Sequence, residues 1–229
     1  MAAAMEPRIT RDARFSSDVS HELRSPLMTL RASIEVVQHR REELSERTQQ
    51  ALDLLNDEVI RFENLVQDLL DLSRSDSGPM ENDLVNIEEL VKATLASADD
   101  RIKLEVSNSA QGGLVMGDKR RLAQVLDNLL RNAEKYGDGA TRIVVTSTGT
   151  DIEIAVEDDG PGVAPSEREL IFERFTRGAA ARKRGTGDGA GLGLALVDEH
   201  ARRHGGSAHV EGKEGQPGAR FVVLLPKAG

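Results

Sequence analysis

The sequence predicts two domains in series: an all-α helical hairpin over residues 10–76 and an α+β sandwich over 85–229, joined by a linker over 77–84. Three observations carry this. Residues 10 to 75 contain no glycine and one proline, Pro26, whereas all 21 glycines lie from Gly78 onward. The apolar residues of the first part recur at heptad spacing, and those of the second in short alternating runs. Between the parts, "SDSGPMEND" (75–83) is polar and carries Gly-Pro, a linker signal.

In the first part Leu23, Leu27, Leu30, Ile34 and Val37 step by four, three, four and three. After the polar stretch "RREELSERTQQ", Leu52, Leu55, Val59, Phe62, Val66 and Leu69 continue the pattern. These seams describe two long antiparallel helices. Two helices alone bury little, so such a hairpin is expected to pair with a second copy as a four-helix bundle. In the second part helical patterns fall near 86–98, 119–136 and 191–204. Strand patterns fall near 101–107, 142–148, 151–157, 207–212 and 219–225, with "STGTD" (147–151) joining two strands as a hairpin. Strands mixed with helices, without regular βαβ alternation, predict helices covering one face of a mixed sheet.

Composition narrows the function. Charged residues are 30% and hydrophobic ones 38%, with no Trp and one Tyr, so the core must be aliphatic. A net charge of −9, from 30 basic and 39 acidic residues, argues against broad binding to nucleic acid or anionic membranes. The absence of cysteine excludes disulfides and thiolate metal sites. No apolar run approaches the roughly 18 residues of a membrane span, and "MAAAMEPRIT" lacks the apolar core of a signal peptide. The expectation is a soluble, cytosolic chain with no membrane contact of its own.

Four stretches carry chemistry. In "SSDVSHELRSP" (16–26), His21 falls outside the heptad seam and faces solvent, with Glu22 beside it. Pro26 removes a backbone donor and crowds the preceding turn, which bends a helix locally. His21 is either an ordinary surface side chain or a reactive group held out to a partner. In "DNLLRNAEKYG" (127–137), Asn128 and Asn132 lie four apart on one helical face, with Arg131 and Lys135 on a neighbouring stripe. Asparagine is a poor helix former. Amide oxygens suit Mg²⁺ and the cations suit phosphates; a polar face with chance asparagines is the alternative. In "VEDDGPGV" (156–163) a strand ends in an acidic pair before a tight turn, a place for a carboxylate to accept from a flat ring's amino group, or a plain surface turn. In "GDGAGLGLALV" (187–197) Gly189, Gly191 and Gly193 lead into an apolar helix, whose bare amides form an anion site. The spacing is neither the dinucleotide fingerprint nor a P-loop, and the H-R-D and D-F-G motifs of protein kinases are absent.

Together these stretches resemble the catalytic core of a bacterial sensor histidine kinase. "FSSDVSHELRSPL" is similar to the phosphoacceptor H box, "QVLDNLLRNAEKYG" to the N box, "DDGPG" to the first glycine box, "IFERF" (171–175) to the F box, and "GAGLGLALV" to the second glycine box. The boxes stand in family order from about residue 10 to 226. The resemblance implies a dimerisation and phosphotransfer hairpin followed by an ATP-binding domain of the histidine-kinase/Hsp90-like type.

The resemblance also implies roles. His21 is the phosphoacceptor that attacks the γ-phosphate of ATP. An unperturbed imidazole, pKa about 6.5, is largely neutral near pH 7, and Glu22 orients it or takes its proton. Asn128 and Asn132 hold Mg²⁺ and phosphates, Arg131 and Lys135 contact phosphates, and Tyr136 flanks the nucleotide. Asp158 bonds the adenine amino group, with Gly160 and Gly162 giving the ring room. Residues 176–190 form a lid carrying Arg177, Arg182, Lys183 and Arg184. Gly189, Gly191, Leu192 and Gly193 approach the phosphates. Phe172 and Phe175 either dock the lid or belong to the core. Many family members carry Thr or Asn four residues after the histidine, where it places a water for dephosphorylating the partner. Ser25 stands there instead, a hydroxyl that still bonds water.

The function implied is autophosphorylation on His21 and transfer of the phosphoryl group to an aspartate in a response regulator's receiver domain. The chain is expected to be a homodimer. It would be the cytoplasmic core of a longer receptor in the inner membrane, or a natural soluble form. Other readings are an ATPase of the same nucleotide fold, such as a chaperone or DNA-repair enzyme, and a dimerising module that binds ATP without chemistry. The heptad hairpin with His21 speaks against the first, and the presence of every residue with an assigned role against the second.

Overall fold

The computed structural model describes residues 26–77 (side chains through 67), 81–96, 101–176, 178, 191–213 and 217–228. The chain divides into two compact units, Met1–Gly78 and Pro79–Gly229. Among the described residues no helix is long and apolar enough to cross a membrane.

The first unit is a helical hairpin: α1, described over 26–38, and α2 (Glu46–Ser77), joined through a single 3-10 turn at Arg41–Glu43. Ser45 caps α2, its hydroxyl accepting from the Thr48 N–H at 3.3 Å. The Arg41 guanidinium forks onto the Asp53 carboxylate, with Nη2 2.8 Å from Oδ2. The Gln49 amide donates to the carbonyls of Arg41 and Leu44 at 2.9 and 3.1 Å, so polar side chains close the connection. Farther along, Arg31 reaches Glu63 across the hairpin at 3.1 Å.

The heptad seam splits into two rows. Leu27, Ile34 and Leu52 are buried and Val59 and Val66 half-buried, so one row is covered within the hairpin. The other row is left out: Leu30, Val37, Leu55 and Phe62 are 52%, 41%, 53% and 47% exposed. A single pair of helices can enclose only one row of knobs; enclosing the second takes further helices.

The second unit holds β1 (Asp83–Asn86), α3 (Ile87–Leu95), β2 (Lys103–Val106), β3 (Leu114–Gly117), α4 (Lys119–Tyr136), β4 (Ala140–Thr148), β5 (Asp151–Asp158), α5 (Gly193–Arg203), β6 (Ser207–Gly212) and β7 (Ala219–Pro226). The main sheet has the order β2-β4-β5-β7-β6. β2 and β4 are parallel, and the other neighbours antiparallel. Alternation assigns the faces. Ile143 and Val145, Ile152, Ile154 and Val156, and Phe221, Val223 and Leu225 join one core with Leu122, Val125, Leu126 and Leu129 of α4 and Val197 and Ala201 of α5. The intervening positions carry charge. Arg220 bonds Glu153, Glu211 and Glu157 at 2.5, 2.8 and 3.4 Å, and Arg142 bonds the same Glu157 at 2.7 Å.

A second, two-stranded antiparallel sheet pairs β1 with β3, and the sequence patterns point to neither strand. Each is four residues long. Asp83 and Leu84, read from sequence as linker, pair with Gly117 and Met116; Pro79 and Asn82 mask the alternation that begins beside them. Asn86 ends β1 and caps α3, accepting from the Glu89 N–H at 3.1 Å.

Two histidines, His200 in α5 and His204 just past its end, fix α5 against α4. His204 Nε2 accepts the Asp118 N–H at 3.1 Å while Nδ1 donates to the His200 carbonyl at 2.6 Å, a neutral imidazole with both nitrogens used. His200, 1% exposed, donates to the Gln124 amide oxygen at 3.2 Å. Burial first, then the positive charge of Arg121, pushes His200 down to about 4; burial also lowers His204.

Two predictions follow from these contacts. Light scattering at tens of micromolar should find the chain dimeric, and Phe62→Glu should weaken the dimer by more than about a hundredfold, since the exposed row enters twice per dimer. A base held neutral in the folded state binds its proton only on unfolding, so stability should be full above the unfolded pKa near 6.5 and fall as pH drops toward about 4. Thermal melts at pH 7.5 and 5 should differ by an amount equivalent to on the order of 1–2 kcal/mol, and His200→Leu should shrink that difference.

Candidate functional site

The site is arranged along α4. Asp118 caps the helix, its carboxylate accepting from the Arg120 and Arg121 N–H groups at 3.0 and 3.3 Å. The buried face of Leu122, Val125, Leu126, Leu129 and Ala133 seats α4 on the sheet, and Asn128 falls at the edge of that face with 6% exposure. Its Oδ1 accepts from Arg131 Nη2 at 3.1 Å, and Arg131 Nε bonds back to the Asp127 carbonyl at 3.3 Å. Asn128 Nδ2 is buried with no partner among the described residues. Asn132 is half-buried one turn on, Tyr136 is half-buried, and Arg131 and Lys135 are exposed.

Gly193 opens α5 beside Asn128. A Cβ on Gly193 would lie 3.6 Å from Asn128 Oδ1, so the second glycine stretch meets the first asparagine. Leu192, fully buried, anchors the entry to α5. Gly191 has φ +71, and a Cβ there would stand 2.7 Å from the Thr176 carbonyl. Its own carbonyl accepts the Phe175 N–H at 3.0 Å, which brings together the two ends of the stretch read as a lid. Phe172 packs against the core and Ile171 is buried within it. Phe175 is 63% exposed with φ 63, an uncommon conformation for a bulky residue, and its N–H makes the bond to Gly191.

At the other end of α4 lies Asp158, 3% exposed at the end of β5. Its Oδ1 accepts both the Gly160 N–H at 3.0 Å and the Ala219 N–H at 3.1 Å. Burial holds its carboxyl above the usual range, against the pull of these two bonds and of Lys213. Glycine main chain packs directly against it. A Cβ on Gly137, the residue ending α4, would lie 2.7 Å from Asp158 Oδ2, and one on Gly160 would lie 2.5 Å from Gly137 Cα. Gly162 (φ +73) and Gly218 (φ +115) pack backbone to backbone, and a Cβ on Gly218 would meet the Asp158 carbonyl.

The sequence-predicted residues thus fall into two groups. Asn128, Arg131, Gly191, Leu192 and Gly193 gather in one group and Asp158, Gly160 and Gly162 in the other, with Tyr136 beside the second and Asn132 and Lys135 on the helix between them. Nine residues of helix separate Asn128 from Gly137, about 14 Å. His21, Glu22, Ser25, Arg177, Gly189, Arg182, Lys183 and Arg184 lie outside the described residues. Gly137, Lys213, Gly218 and Ala219 belong to the site as well. "KYGDG" and "GQPGAR" carry a glycine signal, but nothing local says what those glycines approach.

Among the described residues no group of three His, Cys, Asp or Glu could hold a metal. Amide oxygens are the other oxygen ligands a divalent cation takes. Asn128 fits, because its buried Oδ1 already accepts from a positive guanidinium.

Two family models match the chain in series. The His Kinase A (phospho-acceptor) domain covers residues 11–78. The histidine kinase-, DNA gyrase B- and HSP90-like ATPase covers 117–229. The signal transduction histidine-protein kinase/phosphatase MprB of Mycobacterium sp. (strain KMS) is 36% identical over 238 residues, covering 99% of this chain and 46% of its own length. The chain thus spans about half the length of the curated relatives it matches. The crystal structure of full-length ShkA in complex with AMPPNP has a TM-score of 0.70 at 28% identity, covering 94% of this chain and 46% of that one. The ATP binding domain of PrrB from Mycobacterium tuberculosis has a TM-score of 0.51 at 30% identity, covering 65% of this chain and 99% of that one. With a phospho-acceptor hairpin followed by an ATPase-like sandwich, both matched in sequence, this chain belongs to the histidine kinases of bacterial two-component systems.

Proposed function

We propose that this chain phosphorylates itself on His21 with ATP and passes the phosphoryl group to an aspartate in the receiver domain of a response regulator. The observation that carries this reading is Asp158. It is a buried carboxylate with one oxygen fixed by two backbone N–H groups, and only a glycine, Gly137, is accommodated beside the other oxygen. The phospho-acceptor family match over the residues that include His21 supports the other half.

In this reading Asp158 Oδ2 accepts from the adenine exocyclic amine, Tyr136 flanks the nucleotide, and the phosphates lie toward Asn128 and Gly193. Arg131 leaves Asn128 and, with Lys135, contacts phosphate oxygens, while the backbone at Gly189, Gly191, Leu192 and Gly193 offers N–H groups to the same charge. Arg177 adds a cation from the lid. Asn128 and Asn132 would hold Mg²⁺, which supplies charge neutralisation on the phosphates. A ring nitrogen of His21 attacks the γ-phosphorus; the N–P bond forms as the P–O bond to the β-phosphate breaks, and ADP leaves. Glu22 takes the N–H proton from the other ring nitrogen, leaving a phosphohistidine whose ring is neutral and whose phosphoryl group keeps its negative charge. The receiver's aspartate then attacks that phosphorus, which forms an acyl phosphate and frees His21. We assign Ser25 the placing of a water when the acyl phosphate is hydrolysed.

The exposed seam row supports a homodimer as the acting species. We place this part of the protein in the cytoplasm, where ATP and response regulators occur, as the core of a longer receptor in the inner membrane.

Incubation with γ-labelled ATP should give an acid-labile, base-stable label on the wild type and none on His21→Gln. Calorimetry should find ATP binding by that variant within about twofold of wild type. A loss of nucleotide affinity in His21→Gln would contradict the assignment of binding to the second unit. Asp158 carries a separate expectation. Guanine presents a carbonyl where adenine presents its amine, so a carboxylate there meets an acceptor and is left unpaired. Wild type should prefer ATP to GTP by at least about tenfold, and Asp158→Ala should lose at least about tenfold in ATP affinity and narrow that preference. Unchanged ATP affinity in Asp158→Ala would reduce the turn to a surface turn.

A further inference from the structure

Lys213 stands at the end of β6, and its side chain is 12% exposed, unusually buried for a lysine. Its ammonium donates to the Asp158 main-chain carbonyl at 3.2 Å and to the Asp159 carboxylate at 2.5 Å. It thus clamps two consecutive residues at the β5 turn from just beyond β6, while the start of β7 supplies the Ala219 N–H to Asp158. Its stem also lies against Gly218, whose added Cβ would come within 3.0 Å of Lys213 Cδ. No sequence motif singles this lysine out.

We propose that Lys213 is a positioning residue of the nucleotide site, which holds the Asp158–Asp159 turn and thereby sets the preference for adenine over guanine. The inference rests on the reading of Asp158 as the adenine acceptor.

The physical reason lies in what a carboxyl group can do in its two forms. Ionised, it only accepts hydrogen bonds, and it suits the adenine amine; protonated, it carries a donor that suits the guanine carbonyl. Asp158 is therefore selective only while it stays ionised, and burial pushes the other way. The charged groups acting on it are Lys213, which favours the carboxylate, and Asp159, which opposes it. α4 brings the Gly137 backbone against it and β7 the Ala219 N–H, neither of them charged. The ion pair with Lys213 also draws the negative charge of Asp159 onto the ammonium. One side chain thus fixes the turn's position, offsets its unfavourable neighbour and favours the ionised form.

The test is calorimetric titration of the full chain with ATP and with GTP between about pH 5.5 and 8, for wild type, Lys213→Met, Lys213→Arg and Asp158→Ala. Lys213→Met should bind ATP about fivefold more weakly near pH 8, and its ATP preference should shrink at a higher pH than in wild type. Lys213→Arg keeps the charge and should follow the wild-type profile. If Lys213→Met matches wild type at every pH, or is weakened by one constant factor with an unmoved preference, the proposal is overturned. Lys213→Gln, checked by circular dichroism, replaces the methionine variant in the same titration should that one not fold. Failure of the underlying reading shows separately, as an Asp158→Ala variant that binds ATP like wild type.

Discussion

The carboxyl end of α4 meets the turn after β5 at backbone-to-backbone distance, and the rest of the site is arranged around that contact. Gly160 lies over Gly137 so closely that a methyl group on either would collide with main chain or with the Asp158 carboxyl. The contact holds because α4 is seated by its apolar face on the sheet, while β5, in the middle of that sheet, fixes where the turn begins. Seating the helix in this way puts Asn128 beside Gly193 at the other end. The two ends of the site are therefore set by one rigid element, and neither can shift without the other. Rigid elements hold binding groups more precisely than loops do.

Burying a carboxyl group is unfavourable unless its hydrogen bonds are made. At Asp158 one oxygen has two main-chain donors from different parts of the chain, Gly160 in the turn itself and Ala219 at the start of β7. The pairing of β5 with β7 brings Ala219 there, so the sheet register supports the site directly. The ladder of Arg142, Glu157 and Arg220 on the charged positions reinforces that register, because a slip of one residue would put these charges among Ile154, Val156 and Phe221.

The hairpin's two seam rows and the order of its helices were legible in the sequence because heptad spacing is a local signal. Which row stays exposed was not, since that depends on how the helices face each other. α4 was legible end to end, from its apolar period and the asparagines that interrupt it. β1 and β3 escaped because four residues give too little alternation to stand out from neighbouring turn residues. Asp158, Gly160 and the paired asparagines stood out in the sequence as candidates, since their types are costly where they stand. Gly137, Gly218 and Lys213 were not, because each acts on a residue distant in sequence: Lys213 is 54 residues from Asp159. His200 is a similar case; its burial against Gln124, 76 residues away, is a property of how α4 and α5 pack.

These distant contacts share a logic. Four buried polar side chains of the second unit are paired with something from another element: His204 with the Asp118 N–H, His200 with Gln124, Glu157 with Arg142 and Arg220, Asp158 with Ala219. Every such bond joins elements that the apolar core alone would hold in approximate register, since burial is non-directional and hydrogen bonds are not. Asn128 Nδ2 is buried without a partner among the described residues, midway along α4 and beside Gly193. A half-satisfied buried amide is the kind of group whose hydrogen bonding a ligand can complete, which accords with the proposed place of the phosphates.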